Sequence, residues 1–353
     1  MNNILHPDDL IIKPIAKAET IPSHWYTSPE ILALEKEKIF SRSWQCVGHE
    51  SQLPNSGDRI VAEVAGEPIV IVRGKDTVVR AFYNVCRHRG GPLATSAGCG
   101  NHLQCQYHGW TYELDGKLKG VPNFEGVAGF DKSSFGLVPI ELELWNSLIF
   151  IRLEKTAVSL SELTSGITER AGSLDTLIYH SSVSYTVRCN WKVYIDNYLE
   201  GYHVPIVHPE LMKLYDYRAY KTEIAEWYSF QHSPLSPEDN IYSSGGGEAL
   251  YYFIYPNLML NLLPGRLQTN RVYPIDANTC RVEFDYYYQA DTQESKIKSD
   301  LEFSDSVQAE DIGICELVQK GLHSRSYDKG RFSPEQEIAV WHFQGLLKQA
   351  LTI

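Results

Sequence analysis

The spacing of apolar side chains changes repeatedly along the chain, and each change predicts a different kind of element. Residues 29–41, "PEILALEKEKIFS", place Ile31, Leu34 and Ile39 near helical spacing behind Pro29, which predicts one surface helix. From about residue 58 to 84 the runs become short and β-rich: "RIVAEVAG", "PIVIVRG" and "TVVRAFYNV". Gly, Pro and Asp punctuate them, the pattern of a small antiparallel sheet with tight turns. "WTYELDG" and "SLIFIRLE" carry that β region to about residue 154.

A helix-friendly stretch follows, "SLSELTSGITERAGSLDTL", and then "SYTVRCNWKVYIDNYLEGYH". Strand patterns return at "EWYSFQHS", "LYYFIYPNLMLNLL", "QTNRVYPI" and "RVEFDYYYQA", with a Gly-rich loop expected at "SSGGGEA", 243–249. From about residue 294 the chain reads as long helix. The pattern predicts an α+β protein: an all-β module spanning 44–155, inserted into a larger domain made of 1–43 and 156–353.

Composition narrows the function. The 353 residues suffice for two domains and a large core, and no apolar run reaches the length a membrane helix needs. The formal charge of -12 argues against nucleic acid, whose binding rests on neutralising phosphates. The N-terminal stretch lacks the basic start, apolar middle and small-residue cleavage site of a signal peptide, so a cytoplasmic location is expected. Seven scattered cysteines read as reduced thiols with a metal site rather than as a disulfide framework.

That metal site has a sharp signature. Cys86 and His88 lie in "NVCRHRGG", Cys105 and His108 in "LQCQYHGW", sixteen residues separating the two pairs. Two sulfurs and two nitrogens suit tetrahedral zinc, or a [2Fe–2S] cluster with cysteines on one iron and histidines on the other. Mixed Cys/His loops favour the cluster, since each loop then gives one ligand to each iron. Gly90, Gly91 and Gly109 are expected to let backbone N–H groups approach the sulfurs. Cys99 reads as small-residue packing and His102 as a polar turn residue.

A cluster that passes single electrons needs an acceptor, and "DNYLEGYHVPIVHPE" (196–210) offers one. Glu200 and His203 stand at i, i+3 on an expected helical face, and Pro205 is expected to break the helix so that His208 returns beside His203. Two histidines and a carboxylate make the facial triad of non-haem Fe(II). Asp311 falls on the stripe Leu301, Ser304, Val307, Asp311, Ile314, Val318 of a C-terminal helix, mostly apolar, with Glu310 beside it. Burying that carboxylate unpaired would be costly, so a metal, or else a core Arg or Tyr, is its expected partner. Glu200 would then orient a ligand histidine and connect it to a cluster histidine.

With these segments, and with "WYTSPEI…IFSRSWQCVGH" and "VQAEDIGICELVQKGLHSRSYDKGRFS", the chain resembles the catalytic α subunit of Rieske non-haem iron oxygenases over almost its whole length. The resemblance implies an all-β Rieske [2Fe–2S] domain and a helix-grip catalytic domain, a curved antiparallel sheet around a long helix. It assigns Cys86, His88, Cys105 and His108 to the cluster, His203, His208 and Asp311 to the mononuclear Fe, and Glu200 to the bridging relay. It also implies a homotrimer in which one subunit's cluster feeds its neighbour's iron. NAD(P)H would act through a separate reductase, since no dinucleotide fingerprint is present.

Glutamate at position 200 resembles the quaternary ammonium branch, which oxidises compounds such as choline, carnitine and betaines. The expected reaction is O2-dependent hydroxylation, or oxidative N-demethylation or cleavage, of such a substrate. Trp227, Tyr228, Tyr251, Tyr252, Phe253, Tyr255 and Tyr286 to Tyr288 supply aromatic faces of the kind that attract such cations, although curved sheets are rich in aromatics anyway. An aromatic-ring dioxygenase, with an apolar substrate, is the nearest alternative. A Rieske electron carrier without catalysis is the alternative from another class, and it leaves a second metal site unused.

Overall fold

The computed structural model describes residues 4–236, 242 and 247–352. The chain divides into two compact units, one formed by Phe40–Ala157 and the other by Met1–Ile39 with Val158–Ile353.

The first unit holds ten strands. They are β1 (Gln45–His49), β2 (Asp58–Val64), β3 (Glu67–Arg73), β4 (Val79–Tyr83), β5 (Gly98–Cys99), β6 (Leu103–Gln104), β7 (Thr111–Tyr112), β8 (Leu118–Gly120), β9 (Pro139–Trp145) and β10 (Leu148–Arg152). Seven form one sheet in the order β1-β10-β9-β4-β3-β2-β5, and β6-β7-β8 form a separate small sheet. The alternation of β3 splits the unit into two cores. Ile69 and Ile71 pack with Val47, Leu53 and Ile149, while Val70 and Val72 face Phe82, Trp110 and Tyr112 beside the cysteines. Period-two geometry puts neighbours on opposite faces, so one short strand serves both. Cys99, expected to be packed, is exposed at the end of β5, because that short strand lies outside both cores. His102 sits in an exposed bend, as expected.

In the second unit, β11 (Ile178–Val187), β12 (Lys221–Ile224), β13 (Tyr228–Pro234), β14 (Glu248–Ile254), β15 (Leu258–Leu263), β16 (Arg266–Asp276) and β17 (Thr279–Tyr288) form a curled antiparallel sheet. The order is β11-β17-β16-β15-β14-β13-β12, a meander closed by β11. Every residue of β15 is buried, which explains why "LMLNLL" reads as a continuous apolar run rather than an alternating one. Of the expected glycine-rich loop, residues 243–246 lie outside the described residues, and Glu248 and Ala249 already belong to β14.

Three helical expectations need correction. The helix Pro29–Glu35 passes into a wider π turn, Lys36–Phe40, which shifts the buried face to Ile31, Leu32, Glu35, Ile39 and Phe40. Glu35 is fully buried there because Lys192 Nζ (2.6 Å) and Trp191 Nε1 (2.7 Å) both donate to it. The C-terminal region is two helices, Glu294–Leu322 and Ile338–Thr352, rather than one. The buried face of the first is Ile297, Asp300, Ser304, Gln308, Cys315, Gln319 and Leu322, and Val318 of the expected apolar stripe is exposed. Its polar members have partners or places of their own: Asp300 accepts from Arg266, Gln319 accepts from the Asn190 amide, and Ser304 and Gln308 line a cavity. No helix among the described residues is long and apolar enough to cross a membrane.

Candidate functional site

The loops that carry the Cys/His pairs are built alike. In each, the cysteine carbonyl accepts from the amide four residues on, Gly90 to Cys86 and Gly109 to Cys105, both at 3.0 Å. Each cysteine amide donates to the carbonyl five residues on, Gly91 (2.9 Å) or Trp110 (2.8 Å). Gly90 and Gly109 take φ of 75° and 74°, a region that side chains disfavour. Their own amides are committed to carbonyls, while the backbone N–H of His88 reaches the Cys86 sulfur. Of the three glycines, only Gly91 comes against a sulfur: a Cβ there would stand 2.9 Å from Cys105 Sγ.

Cys86 and Cys105 are buried, and His88 stacks on Trp110 with centroids 4.8 Å apart and 4.7 Å from the ring of His108. Burial pushes the Cys86 thiol up, so a thiolate there needs a cation beside it. The Tyr112 phenol lies 3.3 Å from Cys86 Sγ and accepts from the Arg87 amide at 3.0 Å. His88 Nδ1 is buried with no hydrogen-bond partner. Two buried thiols and an orphaned imidazole nitrogen beside a second imidazole fit a Cys2His2 [2Fe–2S] group, which would take all four donors.

In the second unit the helix Trp191–Tyr198 ends before Glu200, so Glu200 and His203 do not share a helical face. Glu200 instead closes a local turn, accepting from the backbone amides of Tyr202 and His203 and meeting His203 Nδ1 at 2.7 Å. Pro205 starts the next turn, Val204–Val207, rather than ending one. His208 follows in a non-helical conformation, φ -122° and ψ 67°, and its ring stands 5.1 Å from that of His203. Gly201 allows this tight path, since a Cβ there would strike the Tyr220 ring at 2.7 Å.

Asp311 approaches from the helix Glu294–Leu322. Its Oδ1 lies 3.0 Å from His208 Nε2 and 3.9 Å from His203 Nε2, and the three potential ligand atoms fall within 4.8 Å of one another. Glu310 Oε2 holds His208 Nδ1 at 2.7 Å, and Asn197 Nδ2 donates to Asp311 Oδ1 at 2.6 Å. Burial opposes charge on His208, but Asp311 and Glu310 outweigh it and raise its pKa. Two imidazole Nε2 atoms turned toward one carboxylate oxygen fit a divalent metal, as in the 2-His-1-carboxylate set. Among the described residues, neither an Arg nor a Tyr pairs with Asp311.

These groups open into a cavity of about 130 Å³, bounded by β13–β17, the helix Glu294–Leu322 and residues 194–220. Tyr198, Tyr215, Tyr220 and Tyr251 form one wall, with Tyr215 centred 6.1–6.2 Å from Tyr220 and Tyr251. Burial raises the first three phenols well above their ordinary range, so all stay neutral. Arg266 reaches the same cavity but is paired with Asp300 at 2.7 Å. Of the aromatic residues singled out in the sequence, only Tyr251 lines this cavity; Trp227, Tyr252, Tyr255 and Tyr286 to Tyr288 do not.

Sequence reasoning missed Asn197 and the role of Glu310. Their signal was positional, Asn197 within the histidine motif and Glu310 beside Asp311, but spacing does not reveal which atom a side chain meets.

Residues 174–352 match the family of the ring hydroxylating alpha subunit (catalytic domain), and residues 43–131 match the Rieske [2Fe-2S] domain. The chloroplastic choline monooxygenase of Arabidopsis thaliana is 36% identical, over 96% of this chain and 85% of its own. The carnitine monooxygenase oxygenase subunit of Escherichia coli (strain K12) is 34% identical, over 97% and 96%. A solved quaternary ammonium Rieske monooxygenase, reported with carnitine oxidation and inter-subunit electron transfer, superposes with a TM-score of 0.91 at 31% identity, covering 97% of this chain and 98% of its own.

Proposed function

Because this chain belongs to the Rieske non-haem iron oxygenases, we propose that it oxidises a small quaternary ammonium compound such as choline, carnitine or a betaine. The carrying observation is the placement of His203, His208 and Asp311 at a cavity walled by neutral tyrosines. Each aromatic face contributes about 0.5–2 kcal/mol to holding a cation, more when water is excluded. Buried Gln231, Gln268 and Asn270 in the same cavity weigh against an apolar aromatic-ring substrate. A complete second donor set weighs against a bare electron carrier.

Cys86, His88, Cys105 and His108 would hold the [2Fe–2S] cluster, and His203, His208 and Asp311 the mononuclear iron. When bound, these groups supply single electrons and O2 activation toward C–H hydroxylation, or N-demethylation where an N-methyl carbon is hydroxylated. Glu200 and Glu310 each hold an Nδ1, which leaves both Nε2 lone pairs free for metal. Asn197 fixes the Asp311 carboxylate, and the tyrosine wall excludes water and orients the cation.

Glu200 would relay electrons to His203 from the cluster histidine of a neighbouring copy. Exposed Tyr107 beside His108, and exposed Tyr202 and Ile206 beside Glu200, suit copy-to-copy docking in a homotrimer. A separate NAD(P)H-dependent reductase would supply the electrons. The test is electron paramagnetic resonance of the reduced enzyme with nitric oxide, adding choline, carnitine, glycine betaine and an aromatic acid in turn. A signal shifted by one quaternary amine supports the reading; a shift with the aromatic acid alone refutes it.

A further inference from the structure

Resting on that substrate reading, we propose that Gln308, with Asn270 on the facing strand, forms a subsite for an oxygen acceptor on the substrate. Gln308 sits one turn before Asp311 on the helix Glu294–Leu322 and lines the cavity. It is 1% exposed. Its Oε1 accepts from the Tyr194 phenol at 2.6 Å, which fixes the amide, and its Nε2 is buried with no partner. Burial holds Tyr194 well above its ordinary range, so the phenol keeps the proton it donates to that oxygen.

A buried amide N–H without an acceptor is costly, and native structures rarely leave one except where a guest completes it. Among the cavity-lining residues, Gln308 supplies the one buried side-chain atom left orphaned. In the same cavity Asn270 Oδ1 accepts from Gln268 Nε2 at 2.7 Å, which leaves its own NH2 as a second donor. Both groups are uncharged donors, and the Arg266 cation in the cavity is already neutralised by Asp300. The subsite therefore suits a hydroxyl, carbonyl or carboxylate oxygen without requiring an anion. Cation recognition by the tyrosines and oxygen recognition by the amides together would set which carbon faces Asp311 and the histidines.

Equilibrium binding to the anaerobic, metal-replete enzyme tests this with three probes: choline, glycine betaine and tetramethylammonium, the last lacking any oxygen. Gln308→Met keeps the volume and deletes the donor. Its expected effect is about tenfold weaker binding of choline and glycine betaine, the factor equivalent to about 1.4 kcal/mol, with tetramethylammonium unchanged within twofold. Gln308→Glu keeps the shape and serves as a separate test, with its own expected pattern, if the methionine variant does not fold. It should weaken glycine betaine more than tenfold by like-charge repulsion and spare choline, whose hydroxyl can donate. Equal losses for all three probes, or no loss for the oxygen-bearing two, overturns the subsite alone. Wild-type enzyme that binds none of the three overturns the quaternary ammonium reading and the subsite with it.

Discussion

The loops 86–91 and 105–110 hold their cysteines by backbone hydrogen bonds closed within each loop, whereas His203, His208 and Asp311 are oriented by side chains, those that hold His208 and Asp311 coming from other segments. In the first unit each donor pair is a local device: six residues fold into a shape that fixes the sulfur whatever lies further away. In the second, Glu200 sets one imidazole and Glu310, a hundred residues on, sets the other. A backbone-built site tolerates changes in the side chains around it. A side-chain-built site inherits the precision of each supporting carboxylate, so its metal affinity is the easier of the two to tune or to damage.

Removing a donor from either centre should have the largest effect and should separate them. Asp311→Ala should abolish substrate oxidation and empty the mononuclear site, while the visible absorption of the cluster persists. Loss of both chromophore and iron would mean that the two centres are not independent. Cys105→Ser should do the reverse: the cluster colour disappears and reductase-driven turnover stops, while one iron per chain remains by metal analysis.

The supporting carboxylates come next. Glu310→Ala should weaken iron binding about 10–100-fold in chelator competition, because the His208 ring loses its Nδ1 anchor. No comparable partner in the cluster loops should show an effect of that size on metal content. Glu200→Gln should retain both metals and slow electron delivery in single-turnover experiments; unchanged rates would remove it from the relay.

The smallest expected effect concerns the frame behind the histidine motif. Burial raises the pKa of Asp196 to about 7, although Tyr26 and Gln344 donate to its Oδ2. Between the ordinary carboxylate range and pH 7 the folded chain therefore binds more protons here than the unfolded chain does. This contribution to stability is present at low pH and is lost as pH rises through that window. Asp196→Asn should flatten the fall in stability between about pH 4 and 7 in denaturant titrations at fixed pH. An unchanged slope would mean that Asp196 stays ionised in the fold.

Much of this was legible in the sequence, though unevenly. Short β runs with turn residues predicted the strands of the first unit because local alternation is enough to form them. The Cys/His pairs were readable because their spacing is the loop. His203, His208 and Asp311 were named from residue type and position, and the structure brings them together. The helix stripe was misread, however: Val318 faces out, and the buried face carries Asp300, Ser304 and Gln308. An apolar-periodicity argument assumes that buried means apolar, and that fails where buried polar side chains such as Asp300 and Gln319 meet partners from other segments. Glu200 was placed on a helical face and proved to close a non-helical turn, because Gly201 and the short turns around it follow the packing of Tyr220 rather than local helix propensity.

The amino-acid order alone determined the β-rich insert, the donor types of both centres and the family resemblance, since these depend on local spacing and chemistry. Tertiary structure decided which carboxylate meets which imidazole nitrogen, which tyrosines face the cavity, and that the amide of Gln308 is left without a partner. Those facts rest on contacts between segments up to 114 residues apart. Their geometry is set by how the sheet curls and the helix seats, which no local window of sequence contains.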